Sequence, residues 1–206
     1  LKLDLAKLPT TQQLTALRAI QIVLNRFDGC DDAQRGTLIA KLDPLFPAAT
    51  PEQNWLLCET LAYLQSPTAA AKGMTLIANV PTQEEQMEYA RSLRMLKAGW
   101  TANLRRQQLE WFLKAANYRG GASFDKFIEF IRNDAVASLT DAEKTQLADI
   151  LAKKPERKSA VEAADAHVAQ AGARLWRVLR AGDAESGGSG LQGPGQHRHL
   201  ADRPVA

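Results

Sequence analysis

The sequence predicts an all-α protein, and three observations carry that prediction. Apolar residues recur at three- and four-residue steps through residues 10–155, the period of a helix face. Helix starts recur with their own chemistry, at Thr50-Pro51-Glu52-Gln53, Thr82-Gln83-Glu84-Glu85 and Thr140-Asp141-Ala142-Glu143. No stretch alternates convincingly as a strand does, and the connections between periodic segments are short.

Residues 1–9 (LKLDLAKLP) alternate weakly up to Pro9 and read as the end of an upstream element. From Thr10 or Thr11, Leu14, Leu17, Ile20, Leu24 and Phe27 line one helix face, which Asp28-Gly29 stops. A second helix covers about residues 32–42, with Leu38, Ile39 and Leu42 inward, and Pro44 and Pro47 close it. Thr50 caps a third, whose Leu57, Leu61 and Leu64 share a face, and Ser66-Pro67 starts a short fourth through Leu76 and Ile77. Thr82 opens a fifth, with Met87, Ala90, Leu93 and Leu96 inward and Gly99 as its end. Thr101 caps a sixth, through Leu104, Gln108, Trp111, Phe112 and Ala115 to a Gly120-Gly121 stop. Ser123 caps a seventh, carrying Phe124, Phe127, Ile128, Ile131 and Ala135. Thr140 opens the last, with Leu147, Ile150 and Leu151, and Pro155 ends the pattern.

That makes about eight helices. Every second start falls near residues 11, 51, 83 and 124, spacings of roughly 30–40 residues, which suit antiparallel pairs stacked as a HEAT-like right-handed solenoid. A compact orthogonal helical bundle is the alternative.

The bulk composition removes several function classes. No apolar run approaches the roughly 20 residues of a membrane helix, so no membrane insertion is expected. The 26 basic residues are interspersed with 23 acidic ones for a net charge of +3, unlike the clustered stripe of a nucleic-acid surface. Cys58 falls in an apolar helical pattern and reads as a small core residue, Cys30 sits in a turn, and their pairing stays open. The chain begins at Leu1 without a leader pattern and reads as a fragment of something longer.

Past Lys158 the composition changes. Residues 159–206 contain no Lys, Ile, Phe, Tyr, Asn, Met or Thr, and they hold all three histidines, His167, His197 and His199. Disorder removes large apolar residues but favours Lys. Apart from Thr, the missing set has A/T-rich codons, as out-of-frame translation of GC-rich DNA would produce. Residues 156–206 therefore read either as a linker or disordered tail of Gly/Ser type, or as an out-of-frame segment. His197-Arg198-His199 reads as a solvated stretch and not as a metal site.

Residues 1–158 contain no histidine, so no Ser/His/Asp or Cys/His set can be assembled there, and no catalytic, cofactor-binding or metal residue is assigned. The nearest thing to a site is Arg91, Arg94, Lys97, Arg105 and Arg106 around Trp100, residue types that grip phosphate. Glu84, Glu85, Glu88 and Glu110 lie close by, and Glu88 with Arg91 is a neutralising i, i+3 pair, which favours a solvated helix face. Trp100, at a helix–helix junction after Gly99, either plugs a joint or anchors a partner, and the plug is favoured. Trp111 and Phe112 read as core, and Gly120-Gly121-Ala122-Ser123 as a helix stop and restart, without the strand and lysine of a phosphate loop.

One stretch is similar to a known module. Arg94, Leu96, Gly99, Trp100, Thr101, Arg105, Trp111, Phe112, Ala115, Gly120, Gly121, Ser123, Phe124, Phe127, Ile128, Ile131, Arg132, Asp134 and Ala135 form a pattern that resembles the HEAT-like helical region of large exported bacterial proteins. Those proteins combine a sugar-dehydrogenase-like β-propeller with a c-type cytochrome domain, and the resemblance covers roughly residues 10–155. It implies a non-catalytic scaffold or spacer in a multidomain, membrane-bound-dehydrogenase-like protein, periplasmic or extracellular, whose partners are neighbouring domains of the same polypeptide or another protein. It implies haem c in a neighbouring domain only, because this chain has no cysteine beyond Cys58 and hence no Cys-x-x-Cys-His. The alternative is a phosphate- or nucleic-acid-binding helical repeat that uses the basic patch around Trp100, although a nucleic-acid partner is not expected.

Overall fold

Four helices open on the same bond. The hydroxyls of Thr50, Thr82, Thr101 and Thr140 each accept the backbone N–H three residues on, from Gln53, Glu85, Leu104 and Glu143 at 3.2–3.3 Å. This satisfies a donor that the helix itself leaves unpaired. Asp31 does the same for Gln34 at 2.7 Å, and the Gln34 side chain returns a bond to the Asp31 N–H. The computed structural model describes residues 4–27 and 29–156. Among them the chain is all-helical, with no strand: α1 (Thr10–Arg26), α2 (Asp32–Leu42), α3 (Pro51–Tyr63), α4 (Ala69–Asn79), α5 (Gln83–Leu93), α6 (Ala102–Ala115), α7 (Phe124–Ala137), α8 (Asp141–Gln146) and α9 (Ala148–Leu151). Single 3-10 turns occupy Leu5–Lys7 and Asp43–Leu45. No described helix is long and apolar enough to cross a membrane.

Packing follows the apolar stripes. α1 lies against α3, α3 against α5, and α5 against α7, while α4 contacts α5 and α6. The main core runs from Leu5 through Leu17, Leu42, Leu61, Leu93 and Phe112 to Ala135. A smaller cluster of Leu109, Leu139, Leu147 and Ile150 sits where α6 meets α8 and α9. Polar bonds pin the seams. Gln21 on α1 donates to Glu59 and Thr60 of α3, both at 3.1 Å, and Gln53 donates to Gln13 at 2.6 Å. Asp43 receives Lys72 at 2.8 Å and the hydroxyls of Ser66 and Thr68. Burial pushes its carboxyl up, but those bonds outweigh it and hold the pKa below the usual carboxylate range.

Several boundaries differ from expectation. The Gln53 side-chain oxygen, which would complete a capping box on the Thr50 backbone N–H, accepts the Thr50 hydroxyl at 3.0 Å instead, while its amide N–H donates to Gln13 of α1. The fourth helix begins at Ala69, two residues beyond Pro67, because Gln65 turns the chain at φ 59° and the Ser66 hydroxyl is committed to Asp43. α5 ends at Leu93 and not at Gly99, and α6 ends at Ala115, ahead of Gly120-Gly121. Ser123 occupies the cap position of α7 without capping it; the Phe124 N–H bonds the Gly121 carbonyl instead, at 2.9 Å. The last predicted helix is two, broken at Leu147. Phe27 and Phe127, expected inward, are exposed: Phe27 lies past the last turn of α1, and Phe127 flanks the stripe of Ile128, Ile131 and Ala135. Cys30 and Cys58 are both free thiols, Cys58 in the core, where burial and the Glu59 charge push its pKa up to about 12. The readings of His167, His197, His199 and the segment after Glu156 lie outside the described residues.

Candidate interaction surface

The six residues that suggested a surface fall on three elements. Arg91 is on α5, Arg94, Lys97 and Trp100 follow it in the connection, and Arg105 and Arg106 are on α6. Their guanidinium groups are already occupied. Arg91 reaches Glu88 on its own helix at 3.0 Å and Glu59 on α3 at 3.1 Å. Burial works to lower its pKa, and the bonds and charges of Glu88 and Glu59 overcome that and raise it. Arg94 pairs with Asp134 of α7 at 3.0 Å, and its Nη1 also bonds the Arg91 carbonyl, at 2.5 Å. Arg106 makes a two-pronged contact with Asp149 of α9, at 2.8 and 2.9 Å. The Arg106 bond holds the Asp149 carboxyl at about 2. Among these residues only Lys97 is exposed without a carboxylate partner among the described residues.

Arg105 is the unusual member, because it is 1% exposed. Its Nε meets Glu143 at 3.2 Å, its Nη1 bonds Gln108 and Ser138, and its guanidinium carbon lies 4.2 Å over the Trp100 ring. Burial pulls its pKa below the ordinary guanidinium value, and the Glu143 charge opposes that. Trp100 is half-buried against the main core and donates its indole N–H to the Leu96 carbonyl at 2.8 Å. Those contacts tie it to the connection after α5 and to α6.

Comparison with protein-family models, curated proteins and solved structures finds no match.

Several residues of the pattern that carried the resemblance have identifiable structural roles. Arg94 and Asp134, both in it, are one ion pair, and Trp100 and Arg105 are one cation–π pair. Gly99 sits at φ 73°, and a Cβ there would come 1.9 Å from the Pro67 carbonyl oxygen. A Cβ on Gly120 would lie 2.2 Å from the Phe124 ring. Sequence reasoning missed the partners because Asp134, Glu143 and Asp149 lie about 40 positions away, beyond any helical register. What sequence did offer was Glu88 with Arg91, a spacing that local geometry dictates.

Proposed function

We propose that residues 10–155 act as a non-catalytic helical spacer, antiparallel pairs stacked in HEAT-like fashion, within an exported oxidoreductase-like polypeptide that carries haem c in another domain. The observation that supports this best is the succession of ion pairs between segments distant in sequence: Arg91–Glu59, Arg94–Asp134, Arg105–Glu143 and Arg106–Asp149. A spacer performs its role by geometry alone, and ties of this kind resist sliding between neighbouring helices. The packing of α1, α3, α5 and α7 each on the next is what stacked pairs produce. The same pairing counts against the phosphate-binding alternative, since carboxylates already hold the groups that would grip an anion.

Two measurements test the proposal. Spin labels on Thr11→Cys and Asn133→Cys, in a Cys30→Ser background, are expected to give one narrow distance distribution at both 0.1 and 1 M salt. A broad or salt-shifted distribution is incompatible with a rigid spacer. For the oxidoreductase context, the coding DNA from codon 150 onward is read in all three frames. A frame that restores Lys, Ile and Phe and reaches Cys-x-x-Cys-His supports a haem neighbour; a given frame that simply stops removes that half of the proposal.

A further inference from the structure

A cleft of about 1020 Å³ opens along α1, α3 and α5, and its floor is apolar. Leu14, Ala19, Ile22, Trp55 and Leu56 line it, with Ile22 half-exposed, and it runs into a second hollow of about 410 Å³ that shares Arg18, Ile22 and Glu59. Here apolar side chains line one concavity instead of being scattered over the surface. The rim is acidic. Glu52, Glu59 and Glu88 border the cleft, faced by Arg18 and Arg91. Arg91 is shared by Glu59 and Glu88, whereas exposed Glu52 has no cation within ion-pair distance among the described residues. The excess comes from α3 and α5, which carry Glu52, Glu59, Glu84, Glu85 and Glu88 against Arg91 alone; α1 offsets part of it with Arg18 and Arg26. The full chain has net charge +3, so this negative patch is local.

A third observation is independent of charge. Trp55 lines the cleft, and its indole N–H is buried with no acceptor. Buried donors are nearly always paired, and one left unpaired costs about 1–3 kcal/mol. Glu52 and Glu85 also raise the Tyr89 phenol, after burial and Cys58, as expected where carboxylates converge on one face.

We infer that the α1–α3–α5 cleft is a docking site for a cationic, amphipathic segment of a partner polypeptide. Its apolar side chains cover Leu14, Ile22 and Trp55, and a Lys or Arg meets Glu52, the rim carboxylate that Arg91 does not hold. Electrostatic complementarity of this kind governs encounter and partner choice, and the apolar floor supplies the hold. This inference does not depend on the spacer reading.

The test uses the full chain and a labelled 14-residue amphipathic peptide of Leu and Lys, with its Leu and Glu counterpart as control. Saturable binding of the basic peptide is expected, with none of the acidic one. Glu52→Lys and Ile22→Ser, both at exposed positions, are each expected to weaken it roughly fivefold or more, and Glu110→Lys on α6 less than about twofold. The Trp55 indole N–H resonance, assigned by Trp55→Phe, is expected to move on binding. Absence of saturable binding overturns the inference, and so does equal weakening by Glu110→Lys, which would mark diffuse charge attraction. Self-association of the chain alone that Ile22→Ser removes would give the cleft to a second copy and overturn it equally.

Discussion

Arg105 and Glu143 share one carboxylate between two tasks. Oε1 of Glu143 lies 3.2 Å from the buried guanidinium, while Oε2 accepts the Thr140 N–H at 2.8 Å and the Thr140 hydroxyl at 2.9 Å. The group that closes the α8 capping box is therefore also the counter-ion of the most completely buried charge among the described residues. Glu143→Gln keeps the shape and a hydrogen-bonding oxygen but strands the Arg105 charge. It is expected to cost about 1–3 kcal/mol, below the usual loss for a fully buried pair because Glu143 is 23% exposed. Asp141→Asn, on the solvated side of the same helix, is expected to stay within about 0.5 kcal/mol. Urea midpoints decide, and equal effects of the two substitutions would remove the special role of Glu143.

The pH dependence follows with a definite sign. Burial pushes the Glu143 carboxyl up, but the Thr140 bonds and the Arg105 charge bring it below the ordinary value, and Asp43 is lowered likewise by Lys72, Thr68 and Ser66. A folded-state pKa below the unfolded one, about 4.3 for Glu and 3.9 for Asp, means the unfolded chain binds the proton first. The stabilisation is thus complete above those unfolded values and is lost as pH falls through the lower folded ones. Thermal midpoints are expected to be level from about pH 7 to 5 and to drop below about pH 4. Glu143→Gln and Asp43→Asn are each expected to flatten part of that drop. Parallel acid limbs in wild type and variants would contradict it.

How much of this was legible in the sequence depends on the range of the interaction involved. The threonine caps and the Leu57, Leu61, Leu64 stripe are local, set within one or two turns, and the structure has them where periodicity and cap chemistry put them. The Glu88–Arg91 pair was legible for the same reason. Arg105 was not. Nothing in its neighbours signals that a guanidinium is buried, because the group that permits burial comes 38 residues later. The start of α4 was misplaced for a similar cause, since the Ser66 hydroxyl answers to Asp43, a residue of another element. The acidic cleft needed α1, α3 and α5 side by side before Ile22, Trp55 and Glu88 could be seen as one surface.

Gly99 offers the sharpest test of backbone geometry. It combines φ 73° with a closest approach of 1.9 Å between a built Cβ and the Pro67 carbonyl oxygen, and backbone cannot move aside as a side chain can. Gly99→Ala is expected to destabilise by about 3 kcal/mol or more, strain and clash acting together. Gly121→Ala, with open space around its Cβ and no positive φ, is expected to lie within about 0.5 kcal/mol of wild type. Gly36→Ala in α2, likewise open, is expected to stabilise by roughly 0.5–1 kcal/mol through helix propensity. A tolerated Gly99→Ala would mean that the α5–α6 connection has slack near Pro67.

The last prediction separates packing from hydrogen bonding around Trp111. The ring is buried edge-on to Phe112 and Tyr118, with centroids 5.0 and 6.0 Å away. Its N–H reaches the Gln86 side-chain oxygen at 2.9 Å, and the Tyr118 hydroxyl donates to the same atom. Trp111→Ala is expected to cost about 3–5 kcal/mol, the range for deleting a large buried aromatic. Trp111→Phe keeps most of the contact and leaves Gln86 with Tyr118 as a donor, so about 1–2 kcal/mol is expected. Gln86→Leu is different in kind, because it removes one acceptor and leaves two donors without a partner. About 2–4 kcal/mol is expected, more than for Trp111→Phe although fewer apolar atoms are disturbed. If denaturant midpoints instead rank Trp111→Phe as the worse change, packing and not polar satisfaction governs this joint between α5 and α6.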